Sequence, residues 1–347
     1  MLKRCAIALC YSGLILSLGS CSKPPVKEPG GGGTDTQMAL NNPDEYAWQT
    51  FFFLNRQARP GIAGVADSAK NFGELDAGAP VVWETWALAS GESASEVFHP
   101  DGSRPAEWEK LARAPKNRPL ILSPDKTFQM LNEVKAPTSE KRNGRLRTKN
   151  TPRQSLGKLI IFPPGASGDR EEEVRINRSA YEAIRNLGMY NAEGLEALLD
   201  AARKSNDRFL ISKRIPASAK EVKADWIPID SSQKDRFLWR ESSGKTYGLI
   251  ALHITTKDLT NWFWADFGHR DCETPAANAC PPEFKRDTDN MAIDTTTQSG
   301  GNGQSNGIRK ETEGTVWANY LLRGTETAFT RPDGSPQVLS NPVIERK

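Results

Sequence analysis

The fold of this chain depends on Tyr247-Gly-Leu-Ile-Ala-Leu-His-Ile-Thr255 and on Asn261-Trp-Phe-Trp-Ala-Asp-Phe-Gly-His269. Both stretches are apolar and rich in β-branched or aromatic residues, which is typical of buried strands. Only residues 256–260 separate them. This spacing predicts a long antiparallel hairpin.

Further strands are predicted on either side of the hairpin. In Glu221-Val-Lys-Ala-Asp-Trp226 the apolar residues alternate strictly with charged ones, which indicates a strand with one solvated face. Val316 to Thr325 is another strand candidate. Val81 to Leu88 is apolar at both helical and strand spacings, so its type stays open.

Helices are predicted earlier in the chain. Pro43 to Leu54 follows a possible cap at Asn42 and is apolar around much of its surface, which favours a deeply packed helix. Arg178 to Leu187 lies between Asn177 and Gly188, and a further helix to about residue 204 follows Asn191. The fold class predicted is therefore α+β, with helices of the N-terminal half packed on a largely antiparallel sheet and with long loops.

The N-terminal residues resemble a bacterial lipoprotein signal. Lys3 and Arg4 form a basic region, residues 5–18 are apolar, and Leu18-Gly-Ser-Cys21 places small residues before a cysteine. A membrane-spanning helix needs about 20 apolar residues, more than this stretch contains. We therefore expect removal of residues 1–20, acylation of Cys21 and a location in the cell envelope, with Ser22 favouring the outer membrane.

The rest of the chain divides into three parts by composition. Residues 21–41 are rich in Pro, Gly and polar residues, which predicts a flexible tether. Residues 42–347 are expected to form a single folded body. Within it, residues 272–315 form a long polar insertion that is expected to be mobile.

The charge balance bears on possible partners. The chain has 46 Lys and Arg against 43 Asp and Glu, and loss of Lys3 and Arg4 with the signal leaves 44 against 43. Such a near-neutral balance argues against nucleic acid as the main partner. The predicted partners are a membrane, through the N-terminal lipid, and an unidentified envelope protein or small ligand.

Two cysteines remain once the signal is removed and Cys21 carries lipid. Cys272 and Cys280 lie outside the cytoplasm in this interpretation, where a disulfide closing a small loop is the simplest expectation. A redox-active pair or a metal site are the alternatives. The spacing is not Cys-x-x-Cys, and a structural zinc site needs about four ligands.

Histidines are few, and two of them flank the hairpin. With a turn centred near residue 258, His253 pairs with Phe263 and His269 with Tyr247, which separates the imidazoles by about 20 Å along the sheet. We therefore expect that they do not share a metal. Alternation places His253 on an apolar face with Tyr247, Leu249 and Ala251, so we expect its ring to be neutral and packed there. We expect His269, at the end of its strand, to be partly exposed.

Tryptophans are concentrated in the same region and near residue 84. Glu84 lies between Trp83 and Trp86, where a hydrogen-bonded structural role is favoured over a catalytic acid with a raised pKa. The aromatic density makes a ligand surface the main binding hypothesis. Its candidate residues are Trp83, Trp86, Trp262, Trp264, His253 and His269.

Several stretches taken together resemble a group of bacterial envelope proteins often labelled cytochrome c family. They are Tyr46 to Asn55, Val81 to Trp86, Tyr190-Asn191 with Gly194-Leu195, Glu221 to Trp226, Leu252-His-Ile254, Trp262-Phe-Trp264 with Phe267 and His269, and Trp317-Ala-Asn-Tyr320 with Gly324-Thr325. In that group a segment like Leu339 to Glu345 leads into Cys-x-x-Cys-His, which attaches haem. No such motif occurs in this chain, so the resemblance implies the scaffold without covalent haem.

The sequence contains no convincing catalytic set, and no cofactor is predicted. The leading hypothesis is a non-enzymatic envelope lipoprotein that binds a partner or small ligand through its aromatic surface. The alternative is a redox or metal-dependent accessory protein in which His253 or His269 binds a non-covalent haem or a metal.

Overall fold

The structure, a computed structural model, describes residues 26–89, 95–99, 101–111, 139–142, 145–148, 171–207, 209–242, 244–273 and 305–328. The helices are α1 Thr34–Asn41, α2 Pro43–Leu54, α3 Arg178–Leu187, α4 Ala192–Ser205, α5 Leu210–Arg214, α6 Arg270–Glu273 and α7 Ser305–Ile308. The strands are β1 Ala87–Leu88, β2 Ser139–Arg142, β3 Arg145–Thr148, β4 Glu171–Ile176, β5 Lys220–Pro228, β6 Trp239–Ser242, β7 Lys245–Thr256, β8 Phe263–His269 and β9 Tyr320–Glu326. Short 3₁₀ segments occur at Val82–Thr85, Trp108–Lys110, Ser231–Gln233, Arg309–Thr312 and Val316–Asn319.

One antiparallel sheet organises the molecule. Its strand order is β1-β4-β5-β7-β8-β9, and β6 pairs with the beginning of β7, which makes seven strands. β2 and β3 form a separate hairpin. The predicted α+β class with an antiparallel sheet is therefore confirmed.

The central hairpin forms, but its register differs from the prediction. His253 lies opposite Asp266, and Thr256 lies opposite Phe263, which shifts the pairing by three positions from the predicted one. The connection runs from residue 257 to residue 262, so its centre lies beyond the predicted residue 258. Within it, the Lys257 Nζ donates to the carbonyl oxygens of Leu259 and Thr260.

A β-bulge in β7 reverses the alternation of its side chains. Asp225 of β5 pairs with Ala251, but the next residue, Trp226, pairs with Leu249, so Ile250 is the extra residue. Leu249 therefore faces the same side of the sheet as Leu252, and the predicted common face of Tyr247, Leu249, Ala251 and His253 is wrong.

The main core fills one side of the sheet, called the inner face, and α2 supplies its centre. The predicted bounds of α2 are confirmed, although the Asn42 side chain makes no capping hydrogen bond. Phe51 stacks on Phe267 of β8 with ring centroids 4.3 Å apart and contacts Trp317 edge-on at 5.4 Å. Burying such rings stabilises a fold by several kcal/mol, which explains why α2 lies so deep.

α3 covers part of the opposite side, called the outer face. Asn177 caps α3 by accepting a hydrogen bond from the Ala180 N–H at 3.1 Å, and Gly188 ends it in the left-handed conformation with φ 75°. Asn191 caps α4 in the same manner. These predicted caps are confirmed, and Tyr181 packs with Ile176 in a second apolar cluster.

Two segments are more ordered than predicted. The tether expected over residues 21–41 is not found from Val26 onward, because α1 forms and Ala39 is buried in the main core. The mobile insertion expected over residues 272–315 is likewise not found from Ser305 onward, where α7 and a 3₁₀ segment bury Thr312. The predicted strand at Val316 to Thr325 begins only at Tyr320.

Candidate functional site

A row of charged side chains crosses the outer face of the sheet. Strand alternation places Lys223 and Asp225 of β5 there, beside Glu172 of β4 and His253 of β7. Lys223 Nζ lies 2.9 Å from Glu172 Oε2, and Asp225 is fully buried. The solvated face predicted for Glu221 to Trp226 is therefore largely buried instead, and we call these residues the charged face.

His253 belongs to the charged face. Its Nδ1 lies 3.2 Å from Asp266 Oδ1, and a carboxylate oxygen only accepts, so Nδ1 carries the proton. The imidazole lies edge-on to Trp264, with ring centroids 5.3 Å apart. His253 is buried as predicted, but among ionisable groups and not on an apolar face, because the bulge at Ile250 separates it from Leu249.

His269 lies on the inner face and is fully buried, so the predicted partial exposure is wrong. Its ring stacks on Phe237 with centroids 3.9 Å apart and planes inclined by 14°. Nε2–H donates to the Arg236 carbonyl at 3.0 Å, and Nδ1 accepts from the Asp271 N–H at 3.2 Å. Burial lowers the pKa of His269 to about 4, so the ring is neutral and neither nitrogen is available to a metal.

The sheet separates the two imidazoles. His269 lies three residues beyond Asp266 on β8, the partner of His253, which is about 10 Å along the strand. An odd number of residues places the two side chains on opposite faces. The predicted separation of about 20 Å along one ladder is thus replaced by a separation across the sheet.

His99, the third histidine of the chain, lies beside a serine and an aspartate. The Ser103 hydroxyl donates to Asp101 Oδ1 at 2.8 Å, and His99 Nδ1 lies 2.8 Å from the same hydroxyl oxygen. Because the hydroxyl proton is directed to Asp101, Nδ1 must donate to Ser103. The histidine therefore cannot accept the serine proton in this arrangement, as a catalytic triad requires.

Trp83 and Trp86 do not belong to an accessible surface. Trp83 is fully buried, donates from Nε1 to Asn55 Oδ1 at 3.1 Å, and lies 6.2 Å from the Trp226 ring. Trp86 is 1% exposed, and its carbonyl accepts from Arg175 at 2.9 Å. Both side chains are part of the inner core, so their predicted place on the ligand surface is wrong.

Trp262 and Trp264 are partly exposed. Trp262 adopts the left-handed conformation with φ 67°, which is rare and strained for a bulky residue. The Lys257 Nζ lies over the Trp262 ring, 5.7 Å from its centroid, and burial lowers the pKa of this ammonium group. The Trp264 Nε1–H is buried and makes no hydrogen bond with the described residues.

Trp264 differs from the other tryptophans whose N–H is buried and lacks a partner in the described part of the chain. Those are Trp48, Trp226 and Trp317, and each of them is fully buried in the main core. Of these four described tryptophans, Trp264 alone is partly exposed. We call Trp262, Trp264 and His253 the aromatic patch.

An inner network of ions contains one pair, Glu84 with Arg240, whose members are 156 positions apart, and this pairing had no detectable sequence signal. Glu84 pairs through both oxygens with Arg240, and it also accepts from the Val81 N–H at 2.8 Å. Glu173 pairs with Arg175, and burial raises the pKa of Glu173. These contacts support the predicted structural role of Glu84.

Other predicted residues fall outside the described part of the chain. They are Cys21, Cys280 and the side chain of Cys272. Within the described ranges, no helix is long and apolar enough to cross a membrane. The same ranges hold no group of three or more His, Cys, Asp or Glu side chains placed to bind a metal.

Comparisons with protein-family models, with curated proteins and with solved structures find no match to this chain.

Proposed function

We propose that this protein is a bacterial envelope lipoprotein, anchored through acylated Cys21, whose body is a non-enzymatic binding module. The observation that carries the binding role is the aromatic patch, where the Trp264 N–H lacks a protein partner and the ring is partly exposed. Buried tryptophan N–H groups usually have a hydrogen-bond partner, and a ligand acceptor would supply one here once the partly exposed ring turns its N–H outward.

The strained conformation of Trp262 supports the same site. Strained backbone persists where the surrounding structure imposes it, and such positions cluster at binding and active sites. Trp262 packs against the second apolar cluster and Trp264 against His253, so the two rings lie on the outer side of the same hairpin. An aromatic surface with indole donors suits a partly apolar ligand or peptide that offers an acceptor.

The anchor is tested by lipid labelling in the native host. Cys21→Ala should accumulate as an unprocessed precursor that takes up no radioactive palmitate, because acylation requires the thiol. Cys10→Ala, in the apolar part of the signal, should be labelled normally and serves as the control. Normal labelling of Cys21→Ala would exclude this anchor.

The binding role is tested by photocrosslinking in intact cells. A benzoyl-phenylalanine placed at position 264 should give a discrete adduct, whereas the same residue at position 239 should not, because Trp239 lies on β6 under Lys234 and away from the patch. Circular dichroism of both variants verifies folding. The same yield and pattern of adducts at both positions would contradict a specific site at Trp264.

A second function is favoured by the orientation of His253. Its Nδ1 faces a carboxylate, and a carboxylate is a usual partner of metal-binding histidines. The protein would then be an accessory protein with non-covalent haem or metal. The visible absorption spectrum of protein purified from its host decides: a haem band that disappears in His253→Gln and persists in His269→Gln supports it, and a featureless spectrum with no bound metal excludes it.

A further inference from the structure

Residues 26–33, which we call the strap, bind to the body through specific polar contacts. The Gly31 N–H donates to Asp258 Oδ1 at 2.8 Å. Glu28 Oε1 lies 3.5 Å from Lys220 Nζ and accepts from Asn177 Nδ2 at 3.4 Å. The Lys220 side chain is only 1% exposed, so Glu28 supplies a negative charge to a buried ammonium group.

The glycine run of the strap fits this position. Gly30, Gly31, Gly32 and Gly33 have φ values of 101°, 100°, 104° and 67°, which L-residues rarely adopt. A Cβ on Gly30 would lie 2.6 Å from Lys220 Nζ and 2.9 Å from Asp258 Oδ2. Gly30 therefore serves close docking on the body, and the positive φ values of all four glycines give the strap its path, where composition alone indicates a flexible linker.

All strap contacts lie at one end of the sheet, which we call the turn end. β5 begins there at Lys220, paired with Thr256 at the end of β7, and Asp258 lies in the β7–β8 connection. α1 continues from the strap across this end, because the Thr36 hydroxyl donates to the Asp258 carbonyl at 3.3 Å.

The surface of the turn end suits lipid headgroups. Leu40 of α1 is 50% exposed, the highest exposure of a large hydrophobic residue among the described ones. α5 is held at the turn end by the Ser212 hydroxyl, which donates to the Thr260 carbonyl at 3.1 Å. It carries exposed Arg214 and exposed Lys213, which pairs with Asp207 at 2.9 Å. Basic and apolar side chains together favour contact with an anionic membrane surface.

We propose that the docked strap orients the protein on the membrane, with the turn end facing the bilayer. This proposal rests on the proposed acylation of Cys21. Val26 follows Cys21 by five residues, which span at most about 17 Å. The start of β7 lies eleven residues, or about 36 Å, from the turn end. The connection of about 17 Å between Cys21 and Val26 therefore holds only the turn end near the lipid.

Energy transfer to labelled lipid tests the orientation. The full-length lipidated protein is reconstituted in vesicles of phosphatidylethanolamine and phosphatidylglycerol that contain a headgroup-labelled acceptor. A fluorescent amino acid replaces either Asn261 at the turn end or Lys245 at the start of β7, both of which are exposed. Transfer should be about threefold or more greater from position 261, given the separation of about 36 Å.

Strap variants test the cause of the orientation. Gly30→Val and Gly31→Pro should release the strap, because neither residue fits the docked backbone, and about 13 free residues then reach about 45 Å. Transfer from positions 261 and 245 should become nearly equal. Gly78→Val is the control, since Gly78 has φ 73° and open space around it but lies outside the strap.

The outcomes separate the two proposals. Equal transfer from both positions in the protein with an intact strap, or a difference that survives both strap variants, would overturn the orientation. Failure of the intact protein to remain with vesicles on flotation would instead overturn the anchor at Cys21. Because the first comparison uses an unaltered strap, it does not depend on the folding of the strap variants.

Discussion

At the scale of single residues, burial determines what His269 does. Stacking on Phe237 and two backbone hydrogen bonds fix a neutral ring whose Nε2 carries the proton. The Arg236 guanidinium is paired with Asp271, so this carboxylate is already engaged beside the ring. Protonation of the ring would bury a positive charge, and the added proton on Nδ1 would point at the Asp271 N–H. Both effects favour the neutral form.

His269 should make stability depend on pH. Its pKa is about 4 in the folded protein, against an ordinary value of about 6.5 when unfolded. The unfolded chain therefore binds the proton first, and the free energy of unfolding should fall by roughly 3 kcal/mol as the pH falls from about 6.5 to about 4. Urea denaturation at several pH values measures this loss.

His269→Gln isolates the effect, because glutamine retains one donor and one acceptor but does not titrate. This variant should lose the part of the pH dependence that lies between about 4 and 6.5. His99→Gln is the control, since His99 is a surface residue bonded to Ser103. If His269→Gln keeps the full slope, another group is responsible for it.

At the scale of elements, the α3–α4 junction depends on a close backbone approach. A Cβ on Gly194, in the first turn of α4, would lie 1.7 Å from the carbonyl oxygen of Gly188. Gly188 itself ends α3 with φ 75°. The short connection between the two helices therefore requires glycine at both positions.

Gly194→Ala should destabilise the protein by about 2 kcal/mol, because α4 must shift to make room for the methyl group. The expected sign is opposite to the usual one, since alanine is normally the better helix former by about 1 kcal/mol. Thermal and urea denaturation measure the change. Gly307→Ala in α7, where a Cβ meets nothing within 4 Å, should be neutral or slightly stabilising; a comparable loss in both variants would argue against the close approach as the cause.

Local signals in the sequence predicted elements where neighbouring residues determine them. The bounds of α2 and α3 follow from Pro43, Asn177 and Gly188, which act within one turn of a helix. The hairpin register was missed because the connection runs from residue 257 to residue 262 and is not centred at residue 258, and the bulge at Ile250 was missed because it is defined by pairing with β5. Strict alternation holds only in the absence of such long-range constraints.

At the scale of the whole molecule, distant contacts decided which predicted site residues lie together. His253 and Trp264 do meet on the outer face, but His269, Trp83 and Trp86 are buried on the inner side. The pairing of Glu84 with Arg240 joins residues 156 positions apart, which no local pattern reveals. Tyr46 to Asn55 and Trp317 to Tyr320, far apart in sequence, both supply the main core.

The sheet is shared by two apolar clusters, and this arrangement predicts cooperative unfolding. β5 contributes Val222 to the main cluster, while Ala219, directly before β5, belongs to the second one with Tyr181 of α3. Loss of either cluster therefore removes the support of the strand between them. We expect a single unfolding transition for the described body.

Phe51→Ala tests this expectation from the inner side. Phe51 is fully buried against Phe267 and Trp317, so its loss should cost about 3–5 kcal/mol. Amide exchange of α3, on the other side of the sheet, should accelerate together with that of β8, and tryptophan fluorescence and far-UV circular dichroism should give one urea midpoint. Leu40→Ala, at a half-exposed position, should change neither. Unchanged protection of α3 in Phe51→Ala would mean that the two faces of the sheet unfold independently, since a cooperative body transmits the loss of one cluster to the other.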